Sequence, residues 1–167
     1  MPSRRDLIKM SPAEVAVFLG GRHTLNLASF GPDGNIHMVA MWYGVLGLDN
    51  NYDPAVGFAD GRLVIETFAK SQKVRNFRRD RRFTALVEDG EQYSELRGVE
   101  LVGNVEIFEE PGVVIESCKA VLSRYESFGT DEDLEAAAEF AANKRVCVAF
   151  NVERVVSWDH TKLDVPY

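Results

Sequence analysis

The chain is poor in cysteine, in positive charge and in long apolar runs, and each shortage closes off a class of function. Its 167 residues include only two cysteines, Cys118 and Cys147. They stand far apart and in no metal-ligand spacing, which speaks for reduced, buried thiols and a cytoplasmic protein rather than a disulfide scaffold. Lys and Arg total 19 against 26 Asp and Glu, a formal charge of −7, which argues against a general nucleic-acid binder. No apolar run is long enough to span a membrane and no signal peptide is seen. No Gly-x-Gly-x-x-Gly follows a strand and no phosphate loop occurs, so a nucleotide-binding Rossmann domain is not expected. There is no Ser-His-Asp set, and Lys119 beside Cys118 is the one basic neighbour of a thiol. His23 and His37 have no companion ligands, so no metal site is proposed.

What is present is the composition of a globular domain, 46% hydrophobic and 27% charged. The length suits one domain over residues 1–167, with a polar and loose arm at 1–10. Ser11-Pro12-Ala13-Glu14 opens a helix, with Ser as N-cap, Pro in the first turn and Glu three residues on; Val15, Phe18 and Leu19 form its apolar face. Residues 23–30 alternate as a strand, 31–34 (GPDG) turn, and 35–48 return as one long apolar strand. A loop with Asn-Asn, Asp-Pro and Asp-Gly signals covers 49–61; it is long for a strand connection, and either crosses the surface or helps to cover a site. After residue 83 come a strand closed by Asp89-Gly90, a run over 92–108 that Gly98 and Gly103 would bulge or bend, and helices opening at Glu110-Pro111 and Thr130. A last strand over 144–158 should bend near 151–153, before a polar, irregular tail. About six strands, mostly joined by hairpins and flanked by helices, make a mainly β, α+β chain: a curved antiparallel barrel.

The chain is organised around residues 63–82, LVIETFAKSQKVRNFRRDRR. The first part reads as a buried strand, LVIETFA. At Lys70-Ser71 the period changes: Val74 and Phe77 share one side of a helix, while Arg75, Arg78, Arg79 and Arg82 fall on another. Ser71 sits at the N-cap position, and Lys70, Gln72 and Lys73 surround the first turn. A helix start with added ammonium groups suits a phosphate. The rival reading is a solvated basic helix that only keeps the protein soluble.

Three segments in order, HMVAMWY, TFAKSQKVRNFRRDRR and ERVVSWDHTKL, resemble the pyridoxamine 5'-phosphate oxidase-like superfamily of flavin and deazaflavin oxidoreductases, whose fold is the split β-barrel. The overlap runs over about residues 11–163. The resemblance implies a homodimer with two cofactor sites in clefts between subunits, and a cofactor that is FMN or, alternatively, the deazaflavin coenzyme F-420. HMVAMWY matches the strand that runs along the cofactor ring, which brings in Met41 and Trp42. In the oxidase an SRK motif at the helix start holds the FMN phosphate; the matching residues here are Ser71, Gln72 and Lys73, with Gln replacing Arg and Lys70 at hand to restore the charge. Trp158 resembles the tryptophan that the oxidase sets against its flavin. The arginine and histidine by which the oxidase grips pyridoxamine phosphate have no clear counterpart, His160 being only a loose match, so true oxidase activity on that substrate is not expected.

The cofactor-binding set is therefore Met41, Trp42, Thr67, Lys70, Ser71, Gln72, Lys73 and Trp158, with no catalytic side chain named. Thr67 enters because its hydroxyl, on the strand leading into the turn, could bond a ring or ribityl chain. Each has a bland counterpart: Lys73 exposed at a helix start, Trp42 and Trp158 as core or interface aromatics. The leading expectation is hydride transfer between the cofactor and a small organic substrate. The alternatives are a carrier of a flavin or tetrapyrrole that never turns over, and an RNA binder using the arginine stripe, against which the acidic whole argues.

Overall fold

The computed structural model describes residues 3–48 and 61–163; the sequence-predicted loop at 49–61 lies outside them except for Gly61. Seven strands form one antiparallel, curled sheet: β1 (Leu25–Phe30), β2 (Ile36–Met41), β3 (Gly44–Leu46), β4 (Arg62–Phe68), β5 (Arg82–Asp89), β6 (Arg97–Phe108) and β7 (Arg145–Asp159). Their order across the sheet is β2-β1-β5-β6-β7-β4-β3. Helices α1 (Arg4–Ile8), α2 (Pro12–Gly20), α3 (Gln72–Arg79), α4 (Pro111–Tyr125) and α5 (Asp131–Ala142) flank it. This is the antiparallel split-barrel, α+β architecture that the strand pattern predicts.

The core follows from period-two burial. Leu25 and Leu27 of β1, Ile65 of β4, Phe83, Ala85 and Val87 of β5, Val99, Leu101 and Val105 of β6 and Val146, Val148 and Phe150 of β7 point into one cluster, which Val15, Phe18 and Leu19 of α2 and Val74 and Phe77 of α3 complete. Each such side chain, fully withdrawn from water, contributes about 1.5–3 kcal/mol. On the other face of β4 and β7, Val64, Cys147 and Ala149 pack in a smaller cluster with Val113 of α4. Both cysteines are free and buried, and burial pushes the Cys118 thiol up to about 12.

Four expectations are corrected. The arm at 1–10 holds α1, closed by a reciprocal cap between Ser3 and Asp6, and Met10 buries its side chain while its amide donates to Ser157 Oγ at 3.1 Å. The long strand at 35–48 is two, because the chain turns inward at Trp42-Tyr43: Tyr43 is fully buried, donating its hydroxyl to the Leu19 carbonyl at 2.8 Å. Gly44 then lets β3 approach α4 so closely that a Cβ would sit 2.7 Å from the Ala120 backbone. The run at 92–108 begins with a 3-10 turn (Tyr93–Glu95) before β6, and a second such turn, His160–Lys162, follows β7. Arg82 belongs to β5, not to the helix, so α3 ends at Arg79.

Gly103 and Gly98 play different parts. Between Val102 and Gly103 the β6–β7 register slips, so Glu153 of β7 has no partner opposite, and this is the bend expected near 151–153. Gly98 is no bulge; it leaves room for the Trp158 indole, which lies where its Cβ would be. Among the described residues no helix is long and apolar enough to cross a membrane.

Candidate functional site

Past Val64, β4 becomes an edge of the sheet. Its residues 62–64 pair with β3 and 64–68 with β7, so beyond Val64 the described strands flank it on one side only. Over that stretch lies a cavity of about 300 Å³, lined by Ala40, Met41 and Trp42 from the end of β2, Glu66 and Thr67 from β4 and Arg145 from the start of β7. Three distant segments thus meet, and Met41, Trp42 and Thr67 of the predicted set are among them.

Lys73, the second residue of α3, joins through Thr67: its Nζ donates to Thr67 Oγ1 at 3.0 Å, and Thr67 is buried. Burial holds the Lys73 ammonium below its ordinary range, with Glu66 opposing that fall and Arg145 adding to it. Burial likewise pushes the Glu66 carboxyl up, although Arg145 Nη1 donates to it. Lys73, Glu66 and Arg145 are therefore one electrostatic group with a net charge of about +1 when all three are ionised.

Ser71 occupies the N-cap position of α3 but does not cap it. Its hydroxyl bonds none of the first amides and is buried without a partner. A buried hydroxyl left unmatched costs about 1–3 kcal/mol, and at the positive end of an eight-residue helix the group that would satisfy it is an anion. Gln72 does not line the cavity, and its amide is engaged: its Nε2 donates to Asn76 Oδ1 at 2.9 Å, and the fully buried Asn76 donates on to Ser29 Oγ at 3.0 Å. Lys70 is exposed, and its carbonyl takes two bonds from Arg75, at 3.2 and 3.0 Å.

The remaining arginines of the stripe are also engaged inside the chain. Arg78 pairs with Glu109 at 2.6 Å, Arg79 donates to the Phe30 carbonyl, and Arg82 pairs with Asp80 at 2.7 Å. Trp42 lies flat on Tyr125 of α4, ring centroids 4.8 Å apart and planes 1° apart, and remains 44% exposed. A ring held rigidly on one face with exposed surface remaining is a stacking platform. Trp158 is not brought to the cavity within the chain: it stands twelve residues past Val146, the partner of Thr67, on the order of 40 Å along β7. His160 sets Nδ1 2.7 Å from the Tyr93 carbonyl, well away from these groups in the fold.

Glu66 and Arg145 were missed by sequence reasoning. Glu66 sits inside a strand that otherwise reads as buried and apolar, and that misfit was the available signal; Arg145 at a strand start carried none. Among the described residues no group of three His, Cys, Asp or Glu could hold a metal.

The sequence profile of the pyridoxamine 5'-phosphate oxidase family matches residues 11–159. The chain belongs to that family. A conserved hypothetical protein of Mycobacterium tuberculosis is 42% identical over 99% of this chain and 95% of its own, with a TM-score of 0.85. An F-420 reductase superposes with a TM-score of 0.56 at 22% identity, covering 83% of this chain and 93% of its own. A heme-binding protein of Mycobacterium smegmatis does so with a TM-score of 0.60 at 18% identity, covering 93% and 60%. The last two likenesses show the fold alone. No curated protein matches the chain in sequence. The residues present fit a phosphorylated ring cofactor: the Trp42 plate, Thr67 and the Arg145 guanidinium line one cavity, the Lys73 ammonium is bonded to Thr67, and an unmatched buried hydroxyl stands at the start of α3, four residues beyond Thr67.

Proposed function

We propose that this family member is an oxidoreductase that binds FMN, or alternatively the deazaflavin F-420, and transfers a hydride between that cofactor and a small organic substrate. The observation that carries the reading is that Trp42 and Thr67 line one cavity, with the Lys73 ammonium bonded to Thr67 and the uncapped start of α3 four residues further along the chain. A flavin or deazaflavin, when bound, supplies the hydride chemistry itself. The protein's share is to bind, orient and exclude water. Trp42, braced by Tyr125, offers a flat apolar face to a ring system. Thr67 holds the Lys73 ammonium in place, ready to meet negative charge. Ser71 and the first turn of α3 offer donors to a phosphate.

The reading includes a homodimer, with the cavities lying in clefts between subunits. What supports it is the outward face of the edge strand β2, where Ile36 and Met38 are 54% and 66% exposed beside the partly buried Phe30. Purified protein titrated by fluorescence with FMN and F-420 in parallel tests the function. Binding of either below about 10 μM, followed by reduction or oxidation of the bound cofactor by a donor or acceptor, is the expected result. Binding without any turnover would make it a carrier instead. Failure of both to bind at that level would overturn the reading.

A further inference from the structure

The first turn of α3 is one cation short of the oxidase pattern, since Gln72 stands where that pattern has arginine and its amide is engaged with Asn76. Lys70, two residues before Gln72, is exposed, with its carbonyl tied to Arg75. A different guanidinium does reach the cavity. Arg145 begins β7, pairs in register with Phe68 three residues before Ser71, and lines the cavity together with Thr67, the residue that holds Lys73. Its Cζ lies 4.5 Å from the Phe68 ring centroid, which fixes the stem, and its side chain is 26% exposed. Its Nε is buried without a partner, while Nη1 is occupied by Glu66, itself 13% exposed.

We propose that Arg145 is the second phosphate cation of the cofactor site, and that Glu66 is the internal anion which holds it until the cofactor phosphate displaces that carboxylate. This rests on the reading of the cavity as a flavin or deazaflavin site. The pair would make the site selective for the phosphorylated form. A neutral ring without phosphate leaves the Glu66–Arg145 pair closed and gains nothing from it. A phosphate satisfies Arg145 in place of a carboxylate that burial disfavours as an ion. Guanidinium is also the group best matched to a phosphate, through two parallel N–H bonds.

The test compares ligands that differ only at the phosphate end: FMN against riboflavin, and F-420 against its core lacking the phosphate-linked tail. Equilibrium affinities are measured by fluorescence for wild type, Arg145→Gln, Arg145→Lys and Glu66→Gln, with thermal melting of each variant to confirm folding. Arg145→Gln should weaken the phosphorylated ligand by about 10- to 100-fold and leave the other within twofold, with Arg145→Lys recovering part of the loss. Glu66→Gln, which removes the competing charge and keeps the shape, should tighten the phosphorylated ligand by about tenfold. If the wild type binds a phosphorylated ligand but the ratio of the two affinities is unchanged in Arg145→Gln and Glu66→Gln, the inference is overturned and the cofactor site stands. If the wild type binds none of the four, the site itself falls and the inference with it. Should Arg145→Gln fail to fold, Glu66→Gln decides alone, and no gain in phosphorylated-ligand affinity overturns the proposal.

Discussion

Replacing Lys73 by methionine isolates the charge at the start of α3. The thioether keeps the apolar length of the lysine stem and removes the ammonium and its bond to Thr67 Oγ1. A charge-assisted hydrogen bond to phosphate is worth about 1.5–3 kcal/mol, and tenfold in affinity corresponds to about 1.4 kcal/mol, so binding of FMN or F-420 should weaken by about 10- to 150-fold. Stability of the ligand-free protein should hardly move, because two effects oppose each other. Thr67 loses a donor, costing about 1 kcal/mol. Against that, burial disfavours the Lys73 ammonium in the folded state, so its removal relieves a penalty. The sign in pH follows: with the folded pKa below 10.5, the unfolded chain holds more protons at alkaline pH, and wild-type stability gains from Lys73 as pH rises through that window. Lys73→Met should lack this gain. The assay is a fluorescence titration paired with melting curves at neutral and alkaline pH. Affinity within twofold of wild type would refute the placement of a phosphate beside Lys73. A melting temperature lower by more than about 6 °C, with affinity lost in proportion, would show that Lys73 is a structural prop instead.

Three other outcomes can be checked directly. Asn76→Ala strips partners from Ser29 Oγ and Gln72 Nε2 inside the protein, so it should cost about 2 kcal/mol or more and lower the melting temperature by about 5 °C; a shift under 2 °C would count against that network. Met38→Glu places a charge on the outward apolar face of β2; on the proposed dimer reading, light scattering should show the wild type at twice the monomer mass and the variant at the monomer mass, and equal masses would count against β2 as the contact face. Hydrogen bonds from Lys162 and from the Ser11 cap hold the Glu14 carboxyl down at about 2 from 4.5, so its contribution is present above about pH 4.5 and is lost as pH falls towards 2. The stability difference between wild type and Glu14→Gln should accordingly shrink across that interval, and a constant difference from pH 6 to 2 would contradict the cap and ion pair as its source.

Much of the fold was legible because it follows from local pattern. The Ser11 and Thr130 caps, the apolar face Val114-Cys118-Val121 and the slip at Gly103 need only spacing and residue type. The break at Trp42-Tyr43 was not legible, since Tyr43 turns inward to reach Leu19, a partner 24 residues away that no local pattern announces. The same reason hid Glu66 and Arg145, which are 79 residues apart in sequence and adjacent only through the β4–β7 register. Ser71 was placed correctly at the cap, but its missing bond depends on how α3 docks. Trp158 looked like a ring partner because of its place near the end of the chain, yet within one chain it lies over Gly98.

The pairing of β4 with β7 also sets a timetable. Every contact between them spans about 80 residues, with β5, β6, α4 and α5 made in between, so loop closure is costly and late. While the chain emerges from the ribosome, β4 and α3 can form with their side chains in place and still hold no cavity. The wall bearing Arg145 arrives only with the last strand. Ligand capture during refolding would then mark the final step of assembly, and a chain cut short before β7 would lack both the Arg145 wall and the core residues Val146, Val148 and Phe150 that share a cluster with Val74 and Phe77 of α3.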